Sequence, residues 1–374
     1  MGAERSPNIG VPTQSQRRDL DQTTAILEQW LASRLRTEGV VNVNRLSMPD
    51  GSGVSSETLL VDATVAGVDQ RYVVKVDTPN GLYMNASLKS QYEVTHALQG
   101  GTGLPIPELL GFEADTRLLG QPFYVMACIE GRVPTDNPPF HLSGWVTDLS
   151  IQQRRAMCDS ALDTLVDLHQ VDPNTVNFLK RPGRGHSGFD QEFNYYLDYG
   201  RWAMPEGLPE IILKSEQWLK ANYPNSTPTG LSWGDARLGN MMFQGQACVA
   251  VLDWEMVSLG GAELDLAWWA CMDRATTLSL GIPYLEGIAS PAEVIAGWEE
   301  RMARKAQNMK FYLAFNAYRL AVIVLRLSRM LQAAKRLPPE SEWMLNNNTG
   351  MQYLAAMLDI EPAGEITQAW PGLD

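Results

Sequence analysis

The feature that most restricts the fold is a change of hydrophobic period partway along the chain. Up to about Ala127 the apolar residues alternate in short runs: "VVNVNRLSM", "ETLLVDATVAG" and "RYVVKVD", separated by the turn clusters "PDGSG" and "GVDQ", then "PELLGFEAD" and "QPFYVMACIEG". Alternation of this kind marks half-buried strands, because successive side chains on a strand point to opposite faces. Beyond Gly131 the period becomes helical, in "QQRRAMCDSALDTLVDLHQ", "QEFNYYLDYGRWA", "EIILKSEQWLKANY", "EVIAGWEERMARKAQ", "FYLAFNAYRLAVIVLRLSRM" and "EWMLNNNTGMQYLAAML". A short strand pair around "NMMFQGQACVAVLDW" is the one interruption. Two helices belong to the earlier part. Residues 21–36 carry Ile26, Leu27, Trp30, Leu31 and Leu35 at helical spacing with Asp21 as the cap, and "SLKSQYEVTHALQG" stops at Gly100 and Gly101. The fold class is therefore α+β. A tail over residues 1–18 precedes a lobe of five antiparallel strands over residues 19–127, with one helix inserted after the third strand, and a larger, mainly helical lobe fills residues 128–374. A chain of 374 residues that is 45% hydrophobic can fill two such cores.

Charge narrows the partners. Acidic residues outnumber basic ones 43 to 30, for a net charge of -13, and binding to nucleic acid or to an anionic membrane needs clustered cations; neither partner is expected. Cys128, Cys158, Cys248 and Cys271 lie far apart with no C-x-x-C pair, so neither a disulfide framework nor a zinc site is expected, and a reducing cytoplasm fits. The first twenty residues lack an apolar run, so no secretory signal is expected. Arg319, Arg326 and Arg329 interrupt the apolar run that begins at Phe311, which reads as a buried amphipathic helix and not as a membrane span.

The chemistry concentrates in "LSWGDARLGN", where Asp235 and Asn240 stand five positions apart on a glycine-rich loop, and in "VLDWE", where Asp253 ends the apolar strand "ACVAVL". A hairpin joining the two segments brings all three side chains to one sheet edge. The amide oxygen of Asn240 and the carboxylate of Asp253 are hard ligands suited to magnesium, leaving Asp235 for a substrate hydroxyl. Lys75 is a lone cation inside the apolar strand "YVVKVD", where a charge is costly without a partner, and Glu93 on the next helix can be that partner.

These residues, in this order and spacing, resemble the aminoglycoside phosphotransferase family, whose signature G-D-x-x-x-x-N, D-W-E, D-L-A stands here as "WGDARLGN", "LDWE" and "LDLAWW". Within that family the chain is most similar to the branch found as a kinase-like domain beside acyl-CoA dehydrogenases and to its bacterial relatives. The resemblance covers roughly Val41 to Trp269 and implies a protein-kinase-like two-lobed fold, with a small five-stranded N-lobe that binds nucleotide and a helical C-lobe that carries the catalytic loop and the acceptor site. It implies ATP or GTP as donor with Mg2+, and a small-molecule hydroxyl as acceptor, either aminoglycoside-like, hydroxyacyl or another alcohol.

By that resemblance Asp235 orients the attacking hydroxyl and accepts its proton, Asn240 and Asp253 hold magnesium, and Arg237 stabilises the transferred charge. Lys75, held by Glu93, contacts the nucleotide phosphates. Ser52, Gly53, Ser55 and Ser56 in the turn "PDGSGVSSET" cover those phosphates, and the connector around Met126, Ala127 and Ile129 takes the base. Glu255 either reaches a second metal or shapes the loop, Asp265 braces the loop from a helix start, and His169 is read as a structural histidine. Asp190, Glu192, Tyr195 and Asp198 form a candidate acceptor wall. One departure stands out: Trp233 occupies the position where the family usually has histidine before G-D. The alternative reading is a pseudokinase or nucleotide-binding module without phosphotransfer, against which the retention of Asp235 speaks. A protein kinase is disfavoured, because the chain has no D-F-G or A-P-E segment and little room between Asp253 and the D-L-A helix for an activation loop.

Overall fold

The computed structural model describes residues 18–35, 40–48, 56–78, 81–85, 87–227, 229–337 and 341–367. The chain divides into two compact units, residues 1–96 with 107–130, and residues 97–106 with 131–374.

In the first unit β1 (Val41–Ser47), β2 (Glu57–Val65), β3 (Val68–Val76), β4 (Leu109–Glu113) and β5 (Phe123–Ala127) form one antiparallel sheet in the order β1-β2-β3-β5-β4. This is the five-stranded sheet that the alternation implies. The β2–β3 connection is a two-residue turn with Ala66 at φ 49 and Gly67 at φ 82, and two positive φ values in succession match the twist of the flanking strands. Alternation then sorts the side chains. Leu59, Val61, Ala63, Tyr72, Val74, Val76, Phe123 and Val125 bury one face against Leu27, Trp30 and Leu31 of α1 (Leu20–Leu35). Each fully buried apolar side chain there contributes about 1.5–3 kcal/mol. The cap of α1 is Asp19 and not Asp21, since Asp19 Oδ1 accepts from Gln22 N at 3.0 Å. Lys75 projects from the opposite face, opposite Thr58 and Tyr124 in register, while Leu88 of α2 (Leu88–Gln99) packs on that face with Tyr124 and Met126. A short helix absent from the periodicity, α3 (Thr116–Leu119), is capped by Asp115.

The second unit holds α4 (Ile151–His169), α5 (Gly188–Ala203), α6 (Glu210–Ala221), the hairpin β6 (Met241–Gln244) and β7 (Ala247–Val251), α7 (Ala262–Thr276), α8 (Pro291–Met302), α9 (Met309–Ala333), α10 (Trp343–Asn346) and α11 (Thr349–Leu358). Its central element is α9, which is apolar and long enough to cross a membrane by composition, but is mostly buried inside this unit. Arg319 on α9 has no exposed surface. The expected single C-terminal helix is two: Asn348 breaks it, bonding through Nδ2 to Ala321 O and Met344 O and capping α11 by accepting from Met351 N. Likewise α8 ends at Met302, where Ala303 turns left-handed at φ 51.

Gly350 on α11 lies against the backbone of α9, where an added Cβ would stand 2.3 Å from Ala321 N and 2.6 Å from Ala317 O. Gly350→Ala should therefore lower stability by about 1–3 kcal/mol through overpacking, read as a lower urea midpoint at unchanged slope.

Candidate active site

The loop at Asp235 is built from its flanks inward. Before it, Ser232 pairs with Ser258 through N–H···O bonds of 2.9 and 3.0 Å, so the chain entering the loop is tied to the chain leaving the D-W-E segment. After it, β6 pairs with β7, and Leu252 N donates to Asn240 O at 2.9 Å, which sets Asp253 one residue from the strand position facing Asn240. The hairpin thus brings the three oxygen-bearing residues together in one unit.

Beneath the loop lies Asp265, with no exposed surface. Its Oδ1 accepts from Ser232 Oγ at 2.7 Å and Gly234 N at 2.8 Å, and its Oδ2 from Trp233 N at 2.7 Å. His169 Nε2 lies 3.0 Å from the same Oδ2, and Trp298 Nε1 donates to His169 Nδ1 at 2.9 Å. An indole N–H can only donate, so Nδ1 is the lone-pair nitrogen and Nε2 carries the hydrogen aimed at Asp265. Gly234 has φ +93, and a Cβ there would meet Met256 O at 2.0 Å, so this position accepts only glycine. Trp233 donates Nε1 to Leu252 O at 2.9 Å and Asp253 O at 3.1 Å. Asp253 itself stands at φ 60, a conformation that non-glycine residues seldom hold without support.

Asp235 is mostly buried, with 14% of its side chain exposed. Trp268 Nε1 donates to its Oδ1 at 2.6 Å, Asn240 Nδ2 to its Oδ2 at 2.7 Å, and Arg237 Nε lies 3.2 and 3.3 Å from the two oxygens. Asn240 Nδ2 also reaches Asp235 O at 3.0 Å. Both contacts call for a donor, which leaves the Asn240 Oδ1 oxygen turned away from Asp235 and suited, with the Asp253 carboxylate, to a hard divalent cation. Arg237 also donates Nη1 to Asp136. Burial opposes its charge, but the carboxylates of Asp235, Asp136 and Asp253 outweigh that and push its pKa above the ordinary arginine value. A Cβ on Gly239 would stand 2.6 Å from Arg237 Nη1 and 2.7 Å from Asp136 Oδ1.

In the first unit Lys75 Nζ donates to Ser56 Oγ at 3.4 Å. The expected partner Glu93 is engaged elsewhere: it pairs with Lys89 one turn back on α2, and Lys75 and Glu93 make no bond to each other among the described residues. The i,i+4 spacing on an exposed helix face explains this choice. Ser52, Gly53 and Ser55 lie outside the described residues. Met126 shares the sheet face of Lys75, whereas the Ala127 and Cys128 amides are committed to Glu108 O and Arg71 O at 2.7 and 2.9 Å. Ile129 is therefore the first connector residue whose amide makes no bond among the described residues.

The α5 residues expected to form an acceptor wall have other partners. Glu192 pairs with Arg181 and faces Arg319 at 3.8 Å, Asp198 pairs with Arg184, Arg181 stacks over Tyr195 at 4.1 Å, and Asp190 accepts from Ser187 N at 2.8 Å. Glu255 is half-buried behind Asp253 in sequence. Two contributors escaped the sequence reading. Trp268 sits inside the quoted "LDLAWW" and had a signal in that proximity; Asp136, 101 residues from Arg237, had none.

A family model described as "Phosphotransferase enzyme family" matches residues 48–303. Human acyl-CoA dehydrogenase family member 11 is 28% identical over 265 residues, covering 68% of this chain and 33% of that protein. The chain spans about a third of the length of the first curated relatives it matches. Among solved structures, an aminoglycoside-phosphotransferase-like protein from Ralstonia eutropha superposes with a TM-score of 0.64 at 24% identity, covering 89% of this chain and 96% of that one. A thermostable mutant of aminoglycoside phosphotransferase APH(4)-Ia, solved in ternary complex with AMP-PNP and hygromycin B, gives 0.54 at 14% identity over 88% and 98%. At these identities the likeness is one of fold, and it is the kinase-like α+β fold that the sequence implies.

Asp265→Ala leaves the Ser232 hydroxyl, two loop amides and the His169 Nε2–H buried without their acceptor. It should cost about 3–5 kcal/mol of stability, measured by chemical denaturation, whereas Glu93→Ala should change stability by less than about 0.5 kcal/mol.

Proposed function

The chain belongs to the phosphotransferase enzyme family, and on that premise we propose that it transfers the γ-phosphoryl group of ATP or GTP to a hydroxyl of a small molecule. The observation that carries this reading is the constellation around Asp235: a carboxylate held by Trp268, Asn240 and Arg237 on a loop clamped from below, with Asp253 delivered beside Asn240 by the hairpin. Asp235 orients the acceptor hydroxyl and takes its proton as the acceptor oxygen bonds to the γ-phosphorus. The bond from that phosphorus to the bridging oxygen breaks, and the nucleoside diphosphate leaves with the electron pair. Asn240 and Asp253 would hold Mg2+, which when bound offsets phosphate charge. Arg237, half-buried between Asp235 and Asp136, which favour its charged state, is assigned to the negative charge that develops near Asp235. Lys75 with Ser56 is assigned to the nucleotide phosphates, Met126 and Ile129 to the base, and the setting to the cytoplasm.

In a panel of alcohols with ATP or GTP and Mg2+, Asp235→Asn should reduce turnover by about 10²–10⁴-fold while ADP affinity, measured by calorimetry, changes less than about threefold. Equal turnover by the variant would remove Asp235 from its assigned role. A nucleotide-induced thermal shift with no phosphorylated product across the panel would leave a nucleotide-binding module in place of an enzyme.

A further inference from the structure

Arg319 of α9 is a cation with no exposed surface, and a charge so placed is costly unless the groups around it answer it. Among the described residues its ion-pair partner is Glu192 at 3.8 Å, and Glu192 bonds Arg181 more closely, at 2.6 Å. The guanidinium directs its N–H groups mainly at neutral acceptors. Nη1 donates to Asn316 Oδ1 at 2.7 Å, and Nη2 donates to Tyr196 Oη at 3.3 Å and to Gly234 O at 3.4 Å. A well-packed apolar side chain of similar volume often serves a core as well as a buried ion does, so folding alone does not account for a guanidinium here.

Two of its contacts lead to Asp235. Gly234 O belongs to the peptide group that enters Asp235, while the N–H of the same glycine is held by Asp265 Oδ1 at 2.8 Å. Arg319 and Asp265 thereby fix both peptide groups around a glycine at φ +93, a residue with little conformational preference of its own. The second route runs through an aromatic ring. Arg319 Cζ stands over the Trp268 ring, 4.8 Å from its centroid, and Trp268 Nε1 donates to Asp235 Oδ1 at 2.6 Å. One cation thus meets both the backbone that delivers the carboxylate and the indole that orients it. A planar guanidinium suits this pair of tasks, since it can donate from its edge and meet a ring with its face, whereas an ammonium has no plane.

We propose that Arg319 is a positioning residue for phosphotransfer, one that touches neither acceptor nor nucleotide and aims the Asp235 carboxylate through Trp268 and the Gly234 carbonyl. The proposal rests on the phosphotransfer reading for the task of Asp235 and on the packing around Arg319 alone for the aiming.

The test uses Arg319→Lys, which keeps the charge and loses the fork, and Arg319→Met, which keeps an apolar side chain of comparable length. Rates are measured on the alcohol panel with ATP or GTP and Mg2+ and normalised to folded protein. The Trp268 indole N–H resonance, identified by its loss in Trp268→Phe, is followed by heteronuclear NMR on nitrogen-labelled protein. Its short bond to a carboxylate places that resonance downfield in the native chain. Both Arg319 variants should move it toward the free-indole position and lower kcat by about 10–100-fold, with acceptor KM and ADP affinity within about threefold of native. Because Arg319 acts through Trp268, Arg319→Lys combined with Trp268→Phe should lose less activity than the product of the two single losses. Tyr196→Phe deletes the hydroxyl that bonds Nη2 and should move the resonance in the same direction by less, which carries the test if neither Arg319 variant folds. An unmoved resonance, an unchanged kcat in folded Arg319→Lys, or independent losses in the double variant would overturn the proposal and leave Arg319 a role in stability alone. A native chain that phosphorylates no member of the panel, with the resonance moved in the variants, would overturn the phosphotransfer reading and leave the aiming of Asp235 standing.

Discussion

The arrangement depends on one buried carboxylate. Asp265 is a carboxyl group without solvent, which is tolerable only because four donors converge on its two oxygens. Those donors come from the loop that carries Asp235 and from His169, the last residue of α4, and His169 is in turn fixed by Trp298 of α8. Three helices and the loop are therefore coupled through one side chain of α7. The acid thereby converts glycine-rich backbone, which has little preference of its own, into a single conformation, with the two amides of Trp233 and Gly234 both turned inward.

The tryptophan that stands where the family usually has histidine fits this scheme. Its indole N–H spans the carbonyls of Leu252 and Asp253, so it ties the loop to the strand end that bears the second metal-ligand candidate. That contact falls on a residue held at positive φ. The replacement therefore acts on support, through a donor and a large buried surface packed 6.2 Å from the Trp254 ring.

What could be read from the residues follows from the range of each signal. Strand alternation and helical spacing are local, so the five-stranded sheet, α9 and the hairpin were legible, as was the loop motif with its fixed internal spacing. Pairings across long sequence distances carry no such imprint. Asp136 meeting Arg237 is decided by tertiary packing alone, and Glu93 turned to Lys89 because a partner one helical turn away needs no long-range closure. The partners of Glu192 and Asp198 on α5 were not legible for a related reason: Arg181 and Arg184 lie in a loop, an arrangement without periodicity. Asn348 divided a segment whose apolar spacing looked continuous, since its side chain competes with the helical backbone for hydrogen bonds.

The web around Asp235 sets a valence limit. A carboxylate offers about four lone-pair directions. The indole of Trp268 and the amide of Asn240 each claim one, and the Arg237 Nε–H straddles the pair. All four directions are then engaged, so any further donor that reaches this acid has to displace one of these three groups. The Arg237 contacts, at 3.2 and 3.3 Å against 2.6 and 2.7 Å for the indole and the amide, are the longest of the set and so the first that a newcomer would loosen.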